Sequence, residues 1–573
     1  MNNAARGTRN PGPGGACALA CVLLAASCAS PAQVPDAGRV LRESTPPLPL
    51  KPAPPTPLAV PSPAPMPLPA APAPQQAFVL RAVSFNGNTV FSADALQALV
   101  ADKLGENVTL ADLRLLAARV TEHYRAHDYI LTQTVVPVQD IAAGKVEFSV
   151  LEGRLGRLRI ERLDNVAVAE SVVEGAVAAL PPGRPLTRPQ LERAVLLLSD
   201  LPGMATQASL ETGDAAGAFD LVLELKAAPR YNFSIDLDNQ GSRATGEYRI
   251  GALARINSPF GRGDNLDLRL LNAFGKGLTF GRGSYELPLG GAGLRASLAY
   301  AHVQYELGKD FAALGAYGSA DVAELALTYP LLRSRARNLF GKASLEFKRL
   351  NDHIGATATV SLKHVQNLNA GVVYEGRDSW MNGGYVSAGL TGYVGNLDIR
   401  SPADRLLDQD DFGRHTHGHF ARASYQLSRM QYLSTNVSVY LALAGQWANK
   451  DLDSADKIAG GGPRAIRAFS GSTAIGDEAQ IVNAEWRWSA NPDTSLSVFY
   501  DIGRVRLNHS PMAGEDNDRI LSGYGLGVYR TVGGAALRAS LAWPLRNTGA
   551  LSGAAGSNGE RSPRAYAQVV KMF

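Results

Sequence analysis

The sequence predicts a membrane all-β protein: a 16-stranded antiparallel transmembrane β-barrel preceded by two α+β domains of βααββ order. Three observations predict it. From Tyr231 to Phe573, alternating apolar and polar segments of about ten residues recur every twenty or so, the pattern of barrel strands. Short connections alternate there with long ones, as they do when tight turns gather at one rim of a barrel and long loops at the other. Ahead of this region two successive units share the order strand, helix, helix, strand, strand.

Length and composition agree with this organisation. A chain of 573 residues is too long for one ordinary domain. Charged residues make up 19%, below the soluble average of about 25%, and glycine is abundant at 58. The net charge of +4 has no basic block behind it, so nothing argues for nucleic-acid binding. All three cysteines, Cys17, Cys21 and Cys28, lie in the first thirty positions, which leaves no disulfide or thiolate metal site beyond Cys28.

Residues 1–32 read as a secretory signal. Arg6 and Arg9 give a positive start, Ala16 to Ala26 an apolar run too short to span a bilayer, and Ser27-Cys28-Ala29 a small-residue cleavage site. Cys28 is also a candidate lipidation site, although Ala25 stands where such a site prefers leucine. Residues 33–77 are a linker: Pro46 to Pro74 is nearly pure Pro, Ala and Leu and holds 14 of the 34 prolines, a composition that favours an extended, semi-stiff spacer.

The first α+β unit, 78–153, opens with the alternating strand Val79 to Phe85 and the turn Asn86-Gly87-Asn88. Ser92 caps a helix running to Leu104. Thr109 caps another, with Leu110, Leu113, Leu116, Ala117, Val120 and Tyr124 at helical spacing. Strands at Ile130 to Pro137 and Lys145 to Leu151 complete it. The second unit, 154–228, repeats the order with a strand at Leu155 to Arg162, helices near Ala167 to Leu180 and Arg188 to Leu198, and strands at Ala205 to Glu211 and Phe219 to Leu225. Such units expose sheet edges, and an edge accepts an extended peptide through main-chain hydrogen bonds with little demand on its sequence. Neither unit carries a catalytic constellation.

In the barrel region, 229–573, parity assigns the faces. Val437, Val439, Leu441, Leu443 and Trp447 suit lipid, and Ser438, Tyr440 and Gln446 a watery lumen. Val482, Ala484, Trp486 and Trp488 alternate with inward Asn483, Glu485 and Arg487; Leu537, Ala539, Leu541 and Trp543 alternate with inward Arg538 and Ser540. Tight connections at Pro288 to Gly293, Ala490 to Thr494 and Val532 to Ala535 contrast with long ones at Asp398 to His417, Asn449 to Glu478, His509 to Arg519 and Asn547 to Pro563. Only a closed barrel leaves no unpaired backbone in lipid.

Against this background a resemblance becomes specific. Phe85-Asn86-Gly87-Asn88-Thr89, Tyr124, Tyr129, Val136-Pro137-Val138-Gln139-Asp140-Ile141, Gly144 and Val150-Leu151-Glu152-Gly153 resemble the first polypeptide-transport-associated (POTRA) domain of two-partner secretion transporters, the haemolysin and haemagglutinin exporters. The resemblance implies a second POTRA domain from Leu155. It also implies a bacterial outer-membrane translocase with periplasmic POTRA domains that capture an unfolded partner protein, which the barrel passes to the surface or medium (type Vb secretion). A barrel-assembly factor and a passive porin are the alternatives; two units with the Gln139-Asp140-Ile141 pattern favour export. Implied partners are the secreted protein, outer-membrane lipid and, through Phe573, the barrel-assembly machinery. No cofactor, metal or enzymatic activity is implied.

The resemblance also marks a site. In the longest loop, Ile466-Arg467-Ala468-Phe469 is similar to the family's Val/Ile-Arg-Gly-Phe/Tyr tip, which folds back into the lumen, with Ala468 in place of glycine. Phe499-Tyr500-Asp501-Ile502-Gly503 resembles its Phe-x-Asp-x-Gly strand, with Phe499, Asp501 and Gly503 inward by parity. The expectation is a latch between Arg467 and Asp501, with Gly503 making room. His415, His417 and His419 alternate along a predicted strand edge, where an exposed polar edge is a better reading than a metal site. Asp238, Gly241 and Gly246 are read as structural. For the plug helix that such proteins often place in the lumen, only Pro35 to Ser44 is available.

Overall fold

A computed structural model describes residues 34–44, 77–547 and 562–573, apart from 179, 181, 216 and 276. The leader with Cys28 and the Pro46 to Pro74 stretch lie outside the described residues.

In the first unit, Lys145–Leu151 is the central strand, parallel to Ala82–Asn86 and antiparallel to Gln133–Val135. Ser92 accepts a hydrogen bond from the Ala95 N–H at 3.3 Å, as its place before the helix predicts. That helix, Ala93–Ala98, is shorter than expected and gives way to a 3₁₀ turn at Ala101–Lys103. Thr109 and Asp112 form a capping box for Leu110–Ala126, which buries Leu113, Leu116, Ala117, Val120 and Tyr124 against the sheet and leaves Leu110 exposed. The opening strand is broken: Phe78–Val79 pairs with Asn107–Val108, and the chain changes partners at Leu80, whose carbonyl accepts from Gly105 N at 2.7 Å. The core-facing parity shifts there, from Phe78 and Leu80 to Val83 and Phe85, which an unbroken alternating strand over Val79 to Phe85 does not anticipate.

The second unit places Ala218–Ala227 between a parallel Arg154–Arg162 and an antiparallel Met204–Thr212. Its helices, Glu170–Val177 and Arg188–Ser199, cover one face. Leu131 of the first unit is buried in this second core beside Leu155, against Gly153 at the junction.

Tyr231–Asp238 to Arg564–Met572 form one closed antiparallel barrel of 16 strands. Closure is a short seam in which Asp238 opposes Gln568 and Ser234 opposes Met572. Among the described residues no helix is long and apolar enough to cross a membrane, so the crossing is made by strands. The parity holds: Leu441, Trp447, Trp486 and Trp488 are exposed on the outside while Gln446 is buried inside.

The second unit sits against the short-turn rim. Ala169 N donates to Gly261 O (2.7 Å), Arg193 to Pro330 O (3.0 Å), and Asp200 forms a two-pronged pair with Arg333 at 2.7 and 2.9 Å. The long loops therefore belong to the opposite, external rim.

Candidate functional site: the barrel lumen

The loop between Ala448 and Glu478 descends from the external rim into the barrel. Its roots are pinned by buried ion pairs: Lys348 and Arg422 to Asp456 (both 3.1 Å), Lys363 to Asp453 (2.7 Å) and Lys457 to Asp477 (3.1 Å). A two-residue hairpin, Ile458–Ala459 with Ile475–Gly476, narrows it, and below that the chain turns sharply at Gly462, whose positive φ suits glycine. The turn closes through Gly462 N to Phe469 O (2.9 Å) and Ile466 N to Gly460 O (3.1 Å).

At this tip Arg467 meets the strand Thr494–Arg506. Its Nε and Nη2 donate to the two oxygens of Asp501 at 2.9 and 2.8 Å, and its backbone N–H donates to Asp501 Oδ2 at 3.0 Å. Nη1 donates to Glu485 Oε2 at 2.8 Å, and the guanidinium lies 3.3 Å from the Phe499 ring centroid. Asp501 is 1% exposed, and its remaining bonding capacity is taken by Asn483 Nδ2 (2.8 Å), which also donates to Ala465 O (2.8 Å). A planar fork between two carboxylates needs arginine, because an ammonium cannot reach both with fixed geometry.

Apolar packing completes the seat. Ile466, Ala468, Phe469 and Phe499 are all buried in one cluster, and Tyr566 donates to Phe469 O at 3.1 Å. Gly503 has no room to spare: a Cβ there would stand 3.0 Å from Ile466 Cδ1. At Gly523 it would stand 2.4 Å from Ala468 Cβ. Ala468 is not among the residues with positive φ, so alanine replaces the family's glycine without backbone strain. The structure thus brings together all six residues marked in the sequence: Ile466, Arg467, Phe469, Phe499, Asp501 and Gly503.

Sequence reasoning placed Asn483 and Glu485 inward but did not join them to the site. Strand register joins them to it, since Asn483 opposes Asp501 and Glu485 opposes Phe499, and alternation alone does not fix register. The N-terminal helix, Ala37–Ser44, occupies the external half of the lumen. Ala37 N donates to Asp352 Oδ1 (2.7 Å), Val40 and Leu41 pack in the cluster of Phe280, Tyr305 and Phe420, and Arg42 donates to Ser454 O (2.9 Å) on the loop. Gly38 lies against Ala455 so closely that a Cβ would be 2.7 Å away. Helix and loop therefore contact each other inside the lumen.

The remaining marked residues lie elsewhere. Asp238 forms a buried pair with Arg249 (2.9 Å), and Gly241 abuts the Gly246 carbonyl in the same hairpin. His417 Nδ1 accepts from Ile399 N at 3.2 Å, and no group of three metal-capable side chains occurs among the described residues. In the first unit Glu152 accepts from Thr89 N (2.6 Å), Val90 N (2.8 Å) and Tyr124 Oη (2.9 Å). Burial pushes its carboxyl up, but the hydrogen bonds from Thr89, Val90 and Tyr124 outweigh it and hold the group below the usual glutamate range.

Comparison with known proteins places these features. Residues 217–529 match the family described as haemolysin secretion/activation protein ShlB/FhaC/HecB, and residues 78–153 match the POTRA domain, ShlB-type. The chain is 27% identical over 474 residues to the heme/hemopexin transporter protein HuxB of Haemophilus influenzae (strain 86-028NP), covering 79% of this chain and 81% of that one. It is 23% identical over 496 residues to the hemolysin transporter protein ShlB of Serratia marcescens, covering 82% and 80%. Among solved structures it resembles CdiB from Escherichia coli with a TM-score of 0.69 at 18% identity, over 89% of this chain and 93% of that one. CdiB from Acinetobacter baumannii gives 0.62 at 19% identity, over 87% and 90%.

Proposed function

The chain belongs to the haemolysin secretion/activation family, ShlB/FhaC/HecB, and from that premise we propose how its lumen carries out export. It is an outer-membrane transporter of the two-partner secretion type, with its POTRA region in the periplasm and a partner protein as cargo. It acts by conducting a polypeptide and performs no catalysis. Residues 1–32 are the leader, 33–77 the linker, 78–153 and 154–228 the two POTRA domains, and 229–573 the channel.

The observation that carries the mechanism is the two-carboxylate seat of Arg467. In the resting state the loop tip and the helix Ala37–Ser44 close the lumen, and export requires both to leave. The helix has the tether to do so: 33 steps separate Ser44 from Ala77, a chain length that can span at most about 120 Å. Unfolded cargo is captured on sheet edges. In the second domain these are nine-residue strands, Arg154–Arg162 and Met204–Thr212, whereas in the first they are Ala82–Asn86 and Gln133–Val135, of five and three residues. Phe573, exposed beyond the last strand, serves recognition by the assembly machinery, and the apolar outer wall meets outer-membrane lipid.

The test is export of the partner by Arg467→Ala. Loss of export from a barrel that still assembles and shows heat-modifiable migration supports the latch, and undiminished export disposes of it.

A further inference from the structure

Two histidines in the first POTRA domain stand one helical turn apart and serve neither the sheet edges nor the lumen. His123 lies in the last turn of Leu110–Ala126, and His127 is the residue that ends it. At this i, i+4 spacing both side chains share one face of the helix. Their ring centroids are 4.5 Å apart, with the planes tilted by 50°.

The rings are held before any ligand arrives. Phe91 packs edge-on against both, 4.8 Å from His123 and 5.1 Å from His127, and is itself packed against Tyr124 at 4.8 Å on the domain core. His127 Nδ1 lies 2.8 Å from the His123 carbonyl oxygen. A carbonyl only accepts, so Nδ1 carries the proton, and the neutral ring keeps its lone pair on Nε2 at the opposite side. A ring N–H tied to a backbone carbonyl is the arrangement that orients metal-binding histidines. His123 itself makes no side-chain hydrogen bond among the described residues. Burial, and then the neighbouring His127, lower its pKa, so its ring too is unprotonated at neutral pH.

Distance and field suit a cation. Two imidazoles on one tetrahedral Zn²⁺, with Zn–N bonds of about 2.0–2.1 Å, hold their centroids roughly 5 Å apart, so the resting pair is within about half an ångström of a chelate. The carbonyls at the C-terminal end of the helix add negative potential. The nearby charges neither complete the pair nor block it. Asp128 faces Arg188 at 4.0 Å, Arg119 is turned to Asp102 at 2.7 Å, and Arg125 lies on another face of the helix. His127 is exposed, which leaves the remaining coordination positions to water.

We propose that His123 and His127 chelate a divalent transition ion of the imidazole-binding class, Zn²⁺ being its representative. A site with two protein ligands is exchangeable, unlike the closed four-ligand sites that hold a fold together. The bound ion pins the end of the helix where the chain leaves for the second domain, whose Arg188 N–H donates to Asp128 O at 2.9 Å. The proposal is independent of the latch and of cargo capture.

The experiment is site-resolved carbethoxylation. The full chain, free of any polyhistidine tag, is treated in detergent with diethyl pyrocarbonate in the presence of Zn²⁺ alone or Mg²⁺ alone, and each of the nine histidines is read by peptide mass spectrometry. Zn²⁺ is expected to slow labelling of His127 at least tenfold, and of His123 over the same concentration range, whereas Mg²⁺, which prefers oxygen ligands, leaves both unchanged. In His123→Ala the chelate is gone, so protection of His127 should need at least tenfold more Zn²⁺. The proposal is overturned if Zn²⁺ leaves His127 as reactive as before, if Mg²⁺ protects equally, or if His127 is protected at the same Zn²⁺ concentration in His123→Ala, which means coordination by a single ring. Should His123→Ala not fold, the parent decides: protection of one ring at concentrations that leave the other reactive overturns the chelate.

Discussion

Replacing Arg467 by alanine tests the lumen seat where its energetics are sharpest. The substitution strips the cationic partner from Asp501, 1% exposed, leaving it the Asn483 amide and the backbone N–H of residue 467, and removes one of two partners from Glu485, which keeps Arg487 at 2.8 Å. Breaking a buried pair from one side costs about 3–5 kcal/mol, because the remaining charge stays desolvated. That cost falls only on the docked tip, since a released tip lets water reach the carboxylates. With Arg487 still on Glu485 the lower end applies, and at about 1.4 kcal/mol per power of ten the docked fraction falls roughly a hundredfold relative to the released one. The assay is labelling of Ile466→Cys by a membrane-impermeant maleimide. Ile466 is fully buried, so labelling is slow while the tip is docked and accelerates by about two powers of ten in the Arg467→Ala background. Arg467→Lys, which keeps charge but not the fork, should fall between. An unchanged rate in Arg467→Ala, in a barrel that migrates as folded, refutes the seat as the force holding the tip.

Gly523→Ala places its Cβ on Ala468 and should loosen the tip by about 1–3 kcal/mol of overpacking, read by the same labelling. Deleting residues 34–44 removes the buried helix Ala37–Ser44 and should raise single-channel conductance in planar bilayers, further still when combined with Arg467→Ala. Glu152→Gln should destabilise the first POTRA domain by about 2–3 kcal/mol, the worth of hydrogen bonds to a buried charge, seen as a lower unfolding midpoint of that domain. Because the Glu152 carboxyl is held below its ordinary value, its contribution is complete above the unfolded pKa and disappears as pH falls through the folded one. The parent should therefore lose stability on acidification more steeply than Glu152→Gln, measured by denaturant melts across pH 3–6 or so.

The architecture was legible because barrel strands are two-faced. Lipid and lumen impose opposite demands on alternate residues, so Val498, Tyr500 and Ile502 could be set apart from Phe499, Asp501 and Gly503 without coordinates. Helix caps were legible for a similar local reason, since Ser92 and Thr109 serve backbone groups within three residues of themselves. Strand limits in the first POTRA domain were less so. The break at Leu80 and the trimming of Ile130 to Pro137 to Gln133–Val135 depend on which distant strand supplies the hydrogen-bond partner.

What the sequence determined by itself was the parity of strands such as Thr494–Arg506, the caps, and the long and short connections; the six residues of the tip and its strand were marked by the family resemblance. Tertiary structure alone decided that Glu485 and Asn483 share Arg467 and Asp501, and that an eight-residue helix fills the external lumen. The physical reason is that local pattern reports the surroundings a residue needs, whereas its partner is fixed by strand register and barrel closure, which join residues tens to hundreds of positions apart.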